Sequence, residues 1–85
     1  MQLSYKPSFV RALQKLPPSL QHEALGSITL FRQDPFDPSL KTHKLQGKLC
    51  GRWSFSVNYR YRIVFRFEGK EHAHLLAIGD HDVYR

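Results

Sequence analysis

An 85-residue chain that is 41% hydrophobic has room for one small globular domain, taken here as residues 1–85, and no second one. A lone cysteine, Cys50, excludes a disulfide-stapled secreted scaffold, and the lack of any long apolar run excludes a signal peptide or a membrane helix, so a cytoplasmic location is expected. The net charge of +6 favours a polyanionic partner, nucleic acid or an acidic protein.

Residues 2–5, QLSY, alternate and fit a short first strand. Pro7 and Ser8 then open a helical pattern, with Phe9, Val10, Leu13 and Leu16 at helix spacing. Pro17-Pro18 breaks it, because proline cannot continue a helix interior but suits a helix start. A second helix follows, with Leu20, Ala24, Ile28 and Phe31 on one face, and Asp34-Pro35 ends it. So short a break predicts an antiparallel helical hairpin.

Residues 34–51 carry two Asp-Pro pairs and two glycines and read as a loop, pinned to the core by Leu40, Leu45 and Leu49. From Trp53 the period changes to two. Trp53, Phe55 and Val57 face one way, and Ser54 and Ser56 face outward. Asn58 and Tyr59 mark a hairpin turn. Tyr61, Ile63, Phe65 and Phe67 then alternate with Arg60, Arg62, Val64 and Arg66. Gly69 marks the next turn, and a last strand covers 72–78. The sum is an α+β fold: a helical hairpin packed on a small, twisted, antiparallel sheet.

No acidic residue stands between Asp37 and Glu68, a stretch that holds Lys41, Lys44, Lys48, Arg52, Arg60, Arg62 and Arg66. Three arginines on one strand face repel one another. Either an anion lies over them, or each pairs locally with Glu68, Glu71, Asp80 or Asp82.

The order THKLQGKLCGRWSFSVNYRYRIVFRF, then LLAIGDHDVYR, resembles the RelE/ParE superfamily of bacterial toxins from type II toxin–antitoxin modules. The resemblance covers most of the chain and lies in the order and spacing of its parts. It implies a compact toxin with a basic sheet face. In the RelE branch that face holds mRNA in the ribosomal A site and cleaves it. In the ParE branch the same scaffold poisons DNA gyrase without nuclease chemistry. By the same resemblance Arg62 matches the arginine of the Y-R-[IVL]-V-[YF] strand, Tyr84 the tyrosine near the chain's end, and His81 the basic or imidazole group after the last strand. Two departures stand out. Ser54 and Ser56 occupy positions where the best-known RelE nucleases carry lysines, and the preceding loop has no glutamate.

Cleaving RNA without a metal needs a base for the 2′-hydroxyl proton, cations for the phosphorane, and help for the departing 5′-oxygen. Histidine suits the proton steps, and the planar fork of arginine suits two phosphate oxygens. His81 is thus the expected general acid or base, Arg62 the phosphate clamp, and Tyr84 a base-stacking or orienting group. Lys44, Lys48, Arg52, Arg60 and Arg66 are expected on the RNA or ribosome backbone. Asp80 or Asp82 orients His81, acts as the base, or neutralises the arginines.

The resemblance implies a ribosome-dependent mRNA endonuclease that needs no cofactor. A gyrase inhibitor and a degenerate, antitoxin-binding toxin are the alternatives. All three imply an acidic antitoxin as partner, and contact with DNA only through it. His72-x-His74 shares one strand face but matches no common zinc pattern, so no metal is expected. Cys50 lacks an identified base and reads as incidental.

Overall fold

The computed structural model describes residues 1–47, 51–80 and 83. In chain order it has β1 (Gln2–Tyr5), α1 (Pro7–Gln14), α2 (Pro18–Gln33), a 3-10 turn (Pro38–Leu40), β2 (His43–Lys44), β3 (Trp53–Ser56), β4 (Arg62–Phe67) and β5 (His72–Gly79). The five strands form one sheet in the order β1-β5-β4-β3-β2.

Both helices start on proline, as the sequence requires. Each has proline in its first turn, where no intrahelical N–H is needed. The break between them is closed by Gln21, whose Nε2 donates to the Leu16 carbonyl at 2.7 Å and the Gln14 carbonyl at 3.1 Å. It thereby satisfies carbonyls that the end of α1 leaves without partners.

Helix α2 buries Ala24, Ile28 and Phe31, the stripe expected from its spacing. Phe31 is the keystone of the core. Its ring stacks on Phe55 at 4.3 Å with planes 10° apart, and meets Phe65 edge-on at 4.7 Å. Phe9 from α1 and Leu40 from the 3-10 turn complete the same cluster. Trp53 packs edge-on against Phe67 at 5.2 Å, as a core-facing rather than an exposed indole.

The α+β architecture is the expected one. The sheet is mixed, however, because β1 runs parallel to β5 while every other pair is antiparallel. Parallel partners need a long crossover, and here nearly the whole chain lies between them, so no local pattern announces the pairing. Strand β2 was also unexpected. Its two residues are too few to show an alternation, and they lie inside the stretch that reads as loop. Leu40 is buried and Leu45 half-buried, so both pin that stretch; Leu49 lies outside the described residues. Between Val64 and Phe65 the β4–β5 register slips by one residue, a bulge that sets Leu76 apart from the pairing.

The helices cover one face of the sheet, where Phe55, Ile63, Phe65, Ala73 and Leu75 are all fully buried. The alternate residues form the other face. Arg62, Arg66, His72 and His74 are on it, and because paired residues share a face, so are Ser4 and His43.

Phe31→Ala is expected to lower stability by about 3–5 kcal/mol, because it empties the centre of this aromatic stack. Urea denaturation measures it. A loss under about 1 kcal/mol would show that the stack is not the keystone.

Candidate functional site

The site is built around the β3–β4 turn. Asn58 Oδ1 accepts from the backbone N–H of Arg60 at 2.9 Å and of Tyr61 at 2.8 Å. Its Nδ2 donates to Glu23 Oε2 on α2 at 2.7 Å, and Ser27 Oγ donates to the Val57 carbonyl at 3.3 Å. The core helix thus fixes the turn from outside. The turn in turn fixes Arg62, whose Nη1 donates to the Asn58 carbonyl at 2.6 Å and the Tyr61 carbonyl at 3.1 Å. Among the described residues Arg62 makes no ion pair, and its Nε and Nη2 keep their donors for a ligand. A half-buried guanidinium held from one side has the planar fork that two anionic oxygens fit.

Arg62 lines a pocket of about 380 Å³ with Ser39, Lys41, Ser56, Asn58 and Tyr59. Tyr59 is 96% exposed. Lys41 stands at φ 52°, a left-handed backbone that the preceding 3-10 turn imposes. Asp37 caps that turn, accepting from Ser39 N at 2.9 Å and Ser39 Oγ at 2.6 Å. These bonds from Ser39 hold the Asp37 carboxyl below its ordinary value. A slightly larger pocket, about 440 Å³, lies at the other edge of the sheet around Met1, Lys70 and His72, away from Arg62.

His43 shares this face and adds a proton-transfer group that the sequence does not single out. Its Nδ1 lies 2.9 Å from the Lys41 carbonyl, which can only accept, so Nδ1 carries the hydrogen. In the neutral ring the lone pair is then on Nε2. The missed signal was β2 itself. Only the pairing of His43 with Ser54 places this imidazole on the face of Arg62. In the sequence Tyr59 reads as a turn residue, and nothing in its neighbours shows that the pocket lies beside it.

The other expected residues divide. Arg66 bonds Glu68 through Nη2 at 3.0 Å and Nε at 3.3 Å, and this contact holds the Glu68 carboxyl below its ordinary value. Arg60 reaches Asp80 at 4.0 Å, so Asp80 serves as a counter-charge to an arginine. Local pairing thus accounts for Arg60 and Arg66, and Arg62 alone of the three lacks an acidic partner among the described residues. Lys44 pairs with Trp53, which puts it on the side away from Arg62. Arg52 is exposed at the start of β3. Ser54 does sit on the face of Arg62, but it is fully buried, whereas Ser56 lines the pocket.

Lys48, Cys50, His81, Asp82 and Tyr84 lie outside the described residues. Val83 N donates to the Asp80 carbonyl at 3.0 Å, and a methyl group at Gly79 would stand 3.4 Å from Val83 Cβ. Gly79 pairs with Arg62, so Val83 lies over the face that carries Arg62. Among the described residues no helix is long and apolar enough to cross a membrane.

No family model and no curated protein matches the chain. Solved structures do. The YoeB/ParE toxin from Agrobacterium tumefaciens is 21% identical, with a TM-score of 0.78 over 95% of this chain and 99% of that one. YafQ from E. coli strain BL21(DE3) is 18% identical, with a TM-score of 0.72 over 98% of this chain and 96% of that one. RelE in the archaeal RelE–RelB complex from Pyrococcus horikoshii OT3 is 17% identical, with a TM-score of 0.74 over 93% of this chain and 92% of that one. The chain has the RelE/ParE toxin fold. Within this RelE/ParE fold the guanidinium of Arg62 and the Tyr59 pocket occupy one end of the sheet face left open by the helices.

Asn58→Ala is expected to cost on the order of 1–2 kcal/mol. It should also speed hydrogen exchange at the amides of Arg60 and Tyr61, read by NMR; unchanged exchange there would refute the anchoring role. The lowered Asp37 carboxyl adds stability that is fully present above its ordinary value and is lost as pH falls through its depressed one. Thermal melts at acid pH should therefore show a steeper loss for the natural chain than for Asp37→Asn. Parallel curves would contradict it.

Proposed function

We propose that the chain is the toxin of a type II toxin–antitoxin pair and acts as a ribosome-dependent mRNA endonuclease in the cytoplasm. One observation carries this reading: Arg62 is anchored by the β3–β4 turn yet unpaired by any described acid, beside a pocket flanked by Lys41 and the exposed ring of Tyr59. Arg60 and Arg66, by contrast, each have a described carboxylate within reach.

In this reading Arg62 grips the scissile phosphate through Nε and Nη2. A base takes the proton of the 2′-hydroxyl, the 2′-oxygen attacks phosphorus, and the bond to the 5′-oxygen breaks as that oxygen gains a proton. His43 Nε2 and His81 are the two groups suited to those transfers. Tyr84 stacks on or orients a base, and Asp82 orients His81. Arg52, Lys48, Arg60 and Arg66 hold the RNA or ribosome backbone, the last two by exchanging a carboxylate for a phosphate. Lys44, on the other side, meets the ribosome rather than the scissile strand.

The partner is an acidic antitoxin that covers this basic face. The YoeB of Staphylococcus aureus is in a complex with YefM, and the P. horikoshii RelE with RelB, which supports a partner of that kind here.

Purified chain added to programmed ribosomes tests the function, with A-site cuts mapped by primer extension. Cleavage is expected to fall by about 100-fold or more for Arg62→Ala, and to fall strongly for His81→Ala. Equal cleavage by the natural chain and by Arg62→Ala would overturn the assignment. So would growth arrest through DNA damage signalling with translation intact.

A further inference from the structure

At the other end of the open face, Ser4 and His74 lie level across β1 and β5, and His72 lies two residues before His74. That spacing on a strand puts both rings on one face, and the Ala73 between them points into the core. His74 Nδ1 lies 2.6 Å from Ser4 Oγ, and His72 Nε2 lies 2.9 Å from the same oxygen. Two imidazole nitrogens therefore aim at one point.

A serine hydroxyl has one hydrogen, so it can donate to only one of the two rings, and the other must donate to it. A divalent ion would meet two lone pairs there once the donating ring has moved its hydrogen to its other nitrogen. Glu68 is a further donor beside His72. Its Oε1 is 3.7 Å from His72 Nε2, while its Oε2 is held by Arg66. Arg66 thus orients the carboxylate with its other oxygen toward the histidines, as outer-shell partners of metal ligands do.

We propose that His72 and His74, closed by Glu68, form a binding site for a divalent transition ion of the zinc and copper type. Imidazole nitrogen and carboxylate oxygen are the donors such ions take. Bonds from zinc to imidazole nitrogen are about 2.0–2.1 Å, so the ion takes the place of Ser4 Oγ, drawn closer to both rings. Among the described residues no three His, Cys, Asp or Glu side chains already stand grouped around an ion position. The site therefore closes on binding, by a turn of the Ser4 hydroxyl out of the way and a swing of Glu68 inward. The bound ion ties the end of β4 to the start of β5, where Glu68 N already donates to the His72 carbonyl at 2.8 Å. Arg62 lies four residues along β4 from Arg66, about 13 Å away, so the ion takes no part at the phosphate clamp. The site uses the bond of Arg66 to Glu68 as it stands without RNA, and its test needs no nuclease step.

Titration of the full chain with Zn²⁺, and with Co²⁺ for its visible absorption, tests the site. One ion per chain should bind, shifting the NMR signals of His72 Nε2 and His74 Nδ1 and raising the melting temperature by mass action. His72→Gln and His74→Gln should each weaken binding at least tenfold. Ser4→Ala, which clears the position, should bind at least as tightly as the natural chain. Binding that survives both glutamine variants unchanged would overturn the proposal, as would a weakened Ser4→Ala or no binding at millimolar ion. Circular dichroism of each variant separates a lost ligand from a lost fold.

Discussion

Everything in this molecule depends on the contact between one helix and one sheet face. Phe31 sits between Phe55 and Phe65, with ring centres 4.3 and 4.7 Å away. In a chain of this size the core is thin, so a few aromatic contacts carry a large share of the apolar burial. They also decide which side of the sheet is left for other work. Because strand residues alternate, fixing Phe55 and Phe65 inward fixes Ser54, Ser56, Val64 and Arg66 on the opposite face.

That opposite face is graded rather than uniformly basic. Glu68 holds Arg66 and stands near His72 at one end. Ser54 and Val64 are buried at its centre. Arg62, Lys41, Tyr59 and His43 gather toward the other end, where the last turn also returns. Among the described residues Arg60 and Arg66 have a carboxylate within 4.0 and 3.0 Å. The helix contributes to this end directly, through the bonds of Glu23 and Ser27 to the turn that anchors Arg62. Core packing and site geometry are thus joined by a few hydrogen bonds.

Much of this was legible in the sequence. The proline pairs and apolar spacing located both helices, and the alternation from Trp53 to Phe67 located β3 and β4 and the faces of their residues. Arg62 could be singled out by the resemblance of the YRIVF strand and by its acid-free flanks, although it stands at the start of β4 rather than at the strand's centre. What was not legible depends on long-range pairing. The parallel match of β1 with β5 has no local signature, and it alone brings Ser4 between His72 and His74. The two-residue β2 is equally silent, yet it places His43 on the working face. Which arginine finds a carboxylate is likewise a matter of side-chain reach across strands. Residues His81, Asp82 and Tyr84, prominent in the sequence, stay expectations from their type and order alone.

The central claim is that the sheet face left open by the helices is the surface that meets RNA. NMR mapping with a short unstructured RNA tests it most directly. The account predicts that backbone and side-chain shifts concentrate at Lys41, His43, Ser56, Tyr59 and Arg62, and leave the exposed side of α2, such as His22 and Leu25, unmoved. Shifts confined to α2, with the open face silent, would contradict it.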